Sequence, residues 1–264
     1  MTFRHGFMIG FFLTCIGFCK ILSAEDHRAE VFQLKGDSQI LKKDSEDWTR
    51  VKQGMSVEKG DKIYTGEGAF ILIHLDAYYL NFVRIDENTQ AEFRSIEPAD
   101  IFLSDGSLFS QLDGLAKDSV YAIATPTAVS GVRGTSFLRR FDASRMEDTT
   151  QVASGIVELA PLAPNGRILW DEKIVIHADE QLQFDVKTLE SSGGFRNLSV
   201  LPLSPEIKAQ LLSFRISTKD NEPPFVPLGD KQLSQLPPML PQTPHVFRSG
   251  KEEKTGKSKE EVKK

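Results

Sequence analysis

The sequence predicts an all-β protein, and two observations support that prediction. From Val31 to about Val186 the chain consists of short runs rich in β-branched and aromatic residues, with glycine or aspartate at most of the breaks. No stretch of this region sustains a helical period. Short strands at even spacing are typical of stacked strands in a β-roll or solenoid, or of a two-layer sandwich, and the pattern fits both.

The first segment, residues 1–24, is predicted to be a signal peptide. Arg4 precedes an uncharged apolar run from Gly6 to Cys19, which is too short to cross a bilayer comfortably. Cleavage is expected after Ala24, because a small residue ends the segment. The exported protein would then lie in the periplasm, in the cell envelope or at the cell surface, and the mature chain would not span a membrane.

Two alternatives for this segment stay open. Residues 6–24 could remain as an uncleaved anchor helix, with Lys20 reaching the membrane interface. Alternatively, Cys15 or Cys19 could carry a lipid anchor. These are the two cysteines of the chain, so a mature protein cut after Ala24 would have neither a disulfide nor a cysteine-ligated metal.

Residues 25–190 are predicted to form the β domain. The runs Phe70–Ile73 and Ile174–Ile176 are apolar on consecutive residues, so both faces of these strands are expected to be covered. Four large side chains are expected to fill the core: Trp48, Phe82, Phe93 and Phe137. Seven residues are predicted to build structural turns: Gly60, Asp61, Gly66, Gly68, Asp105, Gly106 and Gly155.

The chain changes character after this domain. Residues 191–218 are predicted to be a short helical extension, with Ser204 as the N-cap and Pro205 at the first helical position. Residues 219–264 are expected to be a proline-rich linker followed by a disordered tail rich in lysine and glutamate.

Composition and motifs argue against several classes of function. The apolar share of 40% and the charged share of 26% are those of an ordinary soluble domain, and a net charge of -5 indicates no nucleic-acid partner. The histidines are scattered, without metal-binding spacing, and the chain has neither a phosphate-binding loop nor a nucleophile motif. We therefore expect no enzymatic activity, no cofactor and no metal.

The segment TPTAVSGVRGTSF, residues 125–137, is the strongest candidate for a functional motif. Pro126 favours a strand start, and Gly131 and Gly134 permit a bulge or a positive φ on either side of Arg133. The guanidinium of Arg133 could clamp two turns together by pairing with Asp105 or Glu158, or it could bind a carboxylate or C-terminal strand of a partner. The predicted motif comprises Thr125, Pro126, Gly131, Val132, Arg133, Gly134, Thr135 and Phe137.

These residues closely resemble the hallmark segment of FecR-like domains, in which Thr-Pro is followed by Gly-Val-Arg-Gly-Thr, one further residue and Phe. The resemblance extends to WTRVKQGMSVEKGDKIYTGEGAFILI, LSDGSLFSQL, TQVASGIVEL and HADEQLQFD, and so covers about Val31 to Val186. It implies a non-catalytic extracytoplasmic β domain that makes protein contacts, best known from iron-uptake signalling. There, a regulator has a cytoplasmic anti-sigma segment, one membrane helix and this domain, which meets the signalling domain of an outer-membrane transporter.

The chain departs from that family pattern in three places. Few residues precede the apolar run, so we expect no cytoplasmic segment that could hold a sigma factor. Asp76-Ala77 stands where the family usually has Asp-Gly, and residues 178–181 lack the glycine often found before Gln181. Those two turns are therefore expected to be built differently.

The resemblance and the residues together predict an exported, protein-binding module of the bacterial cell envelope, with a role in signalling and an envelope protein as its partner. One alternative is a structural protein associated with peptidoglycan or another glycan, suggested by Tyr78-Tyr79 and the C-terminal arm. The other is a single-pass signal regulator of the iron-uptake type, which requires the N-terminal helix to be retained.

Overall fold

The computed structural model describes residues 29–76, 79–113, 121–132 and 134–216, which all lie in one unit of the chain. These residues form seventeen strands and two short helices, which confirms the predicted all-β class with a short helix. The predicted signal peptide and the predicted linker and tail lie outside the described residues. None of the described helices is long and apolar enough to cross a membrane.

The elements follow one another as short strands joined by tight turns. In chain order, they are β1 (Ala29–Lys35), β2 (Ser38–Leu41), β3 (Trp48–Arg50), β4 (Ser56–Val57), β5 (Lys62–Thr65), β6 (Phe70–His74), β7 (Asn81–Ile85), β8 (Thr89–Ile96), β9 (Ala99–Leu112), β10 (Tyr121–Ala124), β11 (Ala128–Val132), β12 (Ser136–Asp142), β13 (Glu147–Ser154), β14 (Ile156–Pro161), β15 (Ile174–His177), β16 (Glu180–Phe184), α1 (Val186–Ser192), β17 (Leu201–Pro202) and α2 (Pro205–Ser213).

The strands form two layers. Layer A has the order β4-β1-β6-β7-β9-β12-β13-β16-β17, and layer B has the order β3-β2-β5-β8-β9-β10-β11-β14-β15. Among the described pairs, β9 with β10 is parallel and the others are antiparallel. Two layers occur both in a β-roll and in a sandwich, so this strand order fits both predicted arrangements.

Strand β9 belongs to both layers. Its first half, up to Asp105, pairs with β8 in layer B, and its second half, from Gly106, pairs with β12 in layer A. This crossing joins the layers covalently near the middle of the chain.

The main core lies between the two layers. The side chains of Phe93 and Phe137 are fully buried in this core, as predicted. Phe82 is also buried, but it lies outside this core, with its ring 5.7 Å from that of Phe32. Tyr121 of layer B meets Phe137 of layer A with ring centroids 6.2 Å apart. The hydroxyl of Tyr121 also lies 2.8 Å from that of Ser110 in layer A, and burial raises the pKa of Tyr121 above its ordinary range.

Two predictions about burial are wrong, and both fail at the edges of layer B. Trp48 is 45% exposed rather than a core filler, because its strand is the outermost one and its side chain faces away from the core. Val175 is 38% exposed because nothing described covers the outer face of β15, the opposite edge strand. The same prediction holds for Ile71, Leu72 and Ile73, which are buried in the middle of layer A.

The C-terminal extension covers part of the outer face of layer A. Ser204 caps α2 and Pro205 occupies its first turn, as predicted. Leu211 of this helix packs on Phe109 and Leu138, and the ring of Phe214 lies 5.5 Å from that of Phe109. The helix α1, which the sequence did not predict, is capped by the side chain of its preceding aspartate, Asp185.

Candidate functional site

The predicted motif begins at the tight connection between β10 and β11. The hydroxyl of Thr125 donates to Oδ2 of Asp148 at 2.6 Å, and the hydroxyl of Thr127 donates to the same oxygen at 2.8 Å. The Thr125 hydroxyl oxygen also accepts the N–H of Ala128 at 3.1 Å. Pro126 lies between the two threonines, so the Thr-Pro-Thr turn of layer B is tied to strand β13 of layer A.

A buried arginine completes this cluster. Nη2 of Arg139 lies 2.9 Å from Oδ2 of Asp148, and Nη1 donates to the hydroxyl of Thr150 at 2.5 Å. Both charged side chains are fully buried. Desolvation lowers the pKa of Arg139, whereas the negative charge of Asp148 and their hydrogen bond act in the opposite direction.

We refer to Thr125, Thr127, Arg139, Asp148 and Thr150 as the buried polar cluster. The side chains of Arg139 and Asp148 in this cluster are inaccessible to solvent. A substrate would need an accessible nucleophile or base, and here the carboxylate is fully enclosed by its donors and by the core. The arrangement therefore fits an internal fastening between the two layers rather than a catalytic centre.

The sequence prediction of an arginine clamp selected Arg133, which lies outside the described residues. Its proposed partners have other contacts: Lys173 Nζ lies 2.6 Å from Oε1 of Glu158, and Oδ1 of Asp105 accepts the N–H of Ala143 at 3.1 Å. Arg139, which sequence reasoning missed, occupies the buried position. The signal was present, since alternation along β12 places Arg139 on the same face as Phe137 and Phe141.

The other motif residues hold the strands around this position. Gly131 is a regular ladder residue opposite Ala122 and Glu158, not a bulge, whereas Gly134 has a φ of 57°. Val132 and Phe137 are in the main core. The hydroxyl of Thr135 donates to the carbonyl of Ile156 at 3.1 Å, which connects the start of β12 to β14.

Most predicted turn residues lie between strands. Asp61 is buried and accepts the N–H of Glu58 at 2.8 Å and the ammonium of Lys42 at 2.7 Å. Gly60 and Gly68 have positive φ in the turns before β5 and β6, and Gly66 donates to the carbonyl of Asp37 at 2.9 Å. Gly155 has a φ of 82° between β13 and β14.

Asp105 and Gly106 differ from the prediction. They do not separate two strands but lie within β9, where it passes from layer B to layer A.

Of the two turns expected to depart from the family pattern, the one before β16 is built with Asp179 at a φ of 66°, because aspartate tolerates the left-handed region better than most side chains. Ala77 of the other turn lies outside the described residues.

Layer B ends in two edge strands, β3 and β15. On the outer face near β15, Ile156 is 47% exposed and Val175 is 38% exposed. Trp170 lies just before this strand in a short 3-10 turn. Residues 167–172, which include Trp170, line an open pocket of about 320 Å³. The N–H of His177 donates to Glu180 Oε2 at 2.7 Å, and no described strand pairs with the outer side of Ile174–Ile176.

The two histidines that lie in strands differ in burial, and Nε2 of the first, His74, lies 3.9 Å from Oε2 of Glu30. His74 is buried, with Nδ1 3.1 Å from the carbonyl oxygen of Asp76 and its ring 4.5 Å from that of Tyr79. His177 is exposed. Within the described residues, no group of three or more histidine, cysteine, aspartate or glutamate side chains could hold a metal ion.

The central strands of the chain match a known protein family. Residues 61–158 match a family model described as "FecR protein". Two crystal structures, each described as "a putative anti-sigma factor from Parabacteroides distasonis ATCC 8503", resemble the chain at a TM-score of 0.41 and 15% identity. The alignments cover 57% of this chain and 64% and 63% of those chains, which is less than two thirds of their length. No curated protein matches the sequence.

Proposed function

Because the chain carries a FecR domain over residues 61–158, we propose that it is an exported, non-catalytic module that binds a protein partner in the bacterial cell envelope and takes part in signalling. The observation that carries the proposal is the outer edge of β15, which pairs with β14 alone among the described strands and beside which Ile156, Trp170 and Val175 expose apolar surface. An unpaired strand edge with side-chain contacts beside it is the geometry that receives an extended partner strand.

The buried polar cluster supports this proposal because it helps to hold the strands next to β15 in register. Strand β11 follows the Thr-Pro-Thr turn, which is fastened to Asp148, and β11 pairs with β14, which in turn pairs with β15. A partner strand would therefore add to a sheet whose last three strands are already fixed in register. Little ordering of the domain would be needed on binding, which favours affinity.

Replacing Val175 with proline should abolish partner capture. Proline removes a main-chain donor and clashes with an added strand, whereas Val175→Thr keeps both the donor and the preference for a strand. The measurement is a pull-down of the mature protein from an envelope extract, with captured proteins identified by mass spectrometry before and after muramidase treatment. We expect Val175→Thr to capture the same proteins as the wild type, in a manner that survives muramidase.

The proposal fails if Val175→Pro, with an unchanged melting temperature, captures the same proteins as the wild type. It also fails if capture requires intact peptidoglycan. Thermal unfolding of both variants separates loss of the edge from loss of the fold, since β15 contributes one outer strand to the sheet.

Export is part of the proposal and has its own test. We expect the mature protein to begin at Glu25, because Ala24 ends the predicted signal peptide. Mass spectrometry of the N-terminus of the protein isolated from the native cell gives the answer directly. An unprocessed N-terminus in the inner membrane would instead support the single-pass regulator, and an acylated cysteine would support a lipid anchor.

A further inference from the structure

The outer face of layer B, at the end opposite β15, carries two exposed aromatic rings on one surface. Trp48 is 45% exposed and Tyr64 is 37% exposed. Both point away from the core. Ile63 precedes Tyr64 in β5, and Ile40 of β2 pairs with both Ile63 and Thr49, the residue after Trp48. Because Ile40 and Ile63 are buried in the core, alternation along the strands places Trp48 and Tyr64 on the opposite face. Trp48 and Tyr64 therefore present ring surface to solvent on one face, where the ring of a ligand could stack on them.

The register of the strands defines this surface. One row across the sheet runs through Trp48, Leu41, Lys62 and Glu92, and the next runs through Arg50, Gln39, Tyr64 and Gln90. We refer to these eight residues as the aromatic face. Trp48 and Tyr64 lie two strands apart and two residues out of step, which places their Cα atoms about 12 Å apart.

Each cation of the aromatic face lies within 4.0 Å of a carboxylate, one of which, Asp37, is not among the eight residues. Nε of Arg50 lies 3.6 Å from Oδ1 of Asp37, and Nζ of Lys62 lies 4.0 Å from Oε2 of Glu92. Because each cation has a carboxylate beside it, the face offers no excess positive charge to a phosphate or to an anionic lipid surface. A neutral ligand fits this surface better.

The remaining polar groups indicate what kind of neutral ligand. Gln39 and Gln90 flank Tyr64 in the same row, and each side-chain amide both donates and accepts hydrogen bonds. Hydroxyl groups need the same combination. A flat aromatic ring complements the apolar face of a sugar ring, and the separation of Trp48 and Tyr64 suits an extended chain rather than a single sugar.

We propose that the aromatic face binds an extended, neutral oligosaccharide, with Trp48 and Tyr64 stacking on two of its sugar rings. The Tyr78-Tyr79 pair, which suggested glycan binding in the sequence, does not supply this surface. Tyr78 lies outside the described residues, and the ring of Tyr79 packs 4.5 Å from His74 and 6.0 Å from Phe32. The proposal is independent of the β15 edge, which lies at the other end of layer B.

The chain has two tryptophans, which allows a site-specific experiment. In Trp170→Phe, Trp48 is the sole tryptophan, so its fluorescence reports on the aromatic face alone. Cellohexaose and chitohexaose are the probes, the first bearing hydroxyls only and the second N-acetyl groups as well. We expect at least one of them to change the emission of Trp48 in a saturable manner, and an anionic vesicle of phosphatidylglycerol to leave it unchanged.

Calorimetry with the responding oligosaccharide then tests the two rings. We expect Trp48→Ala and Tyr64→Ala each to weaken binding about tenfold or more, because each removes one stacking contact. Trp170→Ala is the matched control, since Trp170 is 42% exposed but lies outside the aromatic face, and it should bind as the wild type does. Val175→Pro should also bind normally, which separates this site from the proposed protein edge.

The inference is overturned if neither oligosaccharide binds the wild type, or if binding is unchanged in Trp48→Ala and Tyr64→Ala. It is also overturned if Trp48→Ala instead abolishes capture of a protein from a muramidase-treated envelope extract, since the face would then be a protein contact. Equal melting temperatures of the variants show that the losses are local.

Discussion

Replacing Asp148 with alanine is expected to lower the free energy of unfolding by about 3–5 kcal/mol, since it leaves a fully buried guanidinium without its counter-ion. The carboxylate Oδ2 accepts from Arg139, Thr125 and Thr127, so three donors lose their partner at once. Urea unfolding followed by circular dichroism measures the change. In the absence of urea, the far-UV circular dichroism spectrum of Asp148→Ala should still show the signal of β-strands.

A double substitution tests whether the loss comes from the unpaired charge. Nε of Arg139 and Oδ1 of Asp148 have no hydrogen-bond partner among the described residues, so the pair is itself incompletely compensated. Combining Arg139→Met with Asp148→Leu should therefore recover most of the stability lost in Asp148→Ala. Lys208→Ala, which breaks an exposed ion pair with Asp179, is the control and should cost less than about 1 kcal/mol.

An additive result would contradict this account. If the double variant is destabilised by the sum of Arg139→Met and Asp148→Leu measured singly, the two side chains do not act as a unit. A loss below about 1 kcal/mol in Asp148→Ala would show that water reaches the guanidinium, in contrast to the complete burial seen in the structure.

The fold class was predictable because strand patterns are local. The breaks at residues 60–61, 66–68 and 87–88 match strand boundaries, since glycine and asparagine supply the backbone angles that tight turns require. Which strand lies at an edge is not local information. Trp48 and Val175 look like core residues in the sequence, and they are exposed because they lie in edge strands and on the face of layer B that points away from the core.

The candidate site was predicted in part for the same reason. The threonines of the Thr-Pro-Thr turn belong to the predicted motif, but their partner Asp148 lies more than twenty residues further along the chain. Only the pairing of β12 with β13 brings Arg139 and Asp148 together. A motif of consecutive residues draws attention to Arg133, whereas strand alternation would have pointed to Arg139.

Replacing Gly106 with alanine is the second change for which we expect a large effect, a loss of about 3 kcal/mol or more in the free energy of unfolding. Gly106 has a φ of 92°, outside the range that a side chain tolerates at low cost. A Cβ there would lie 2.5 Å from the Cα of Thr89 and would also meet the hydroxyl of that threonine. Backbone contacts of this kind are not relieved by a rotamer change, so the free-energy cost of overpacking adds to the cost of the strained backbone.

The position of Gly106 explains why this strain cannot be avoided by a small shift. The residue stands where β9 leaves layer B for layer A, and the neighbouring Ser107 N–H is held by the hydroxyl of Thr89 at 2.9 Å. Moving the backbone would break that bond and disturb the pairing of both halves of the strand. We therefore expect the variant to lose stability in both layers together, as a single cooperative transition in urea.

Gly68→Ala is the matched control for this prediction. Gly68 also has a positive φ, of 66°, but a Cβ built there would meet nothing within 4 Å, so only the backbone term of about 1–2 kcal/mol applies. Thermal and urea unfolding of the two variants separate backbone strain from the clash with Thr89. If Gly106→Ala and Gly68→Ala cost the same, Thr89 yields to the new side chain, and the crossing of β9 between the layers is not the tightly constrained point that the contacts indicate.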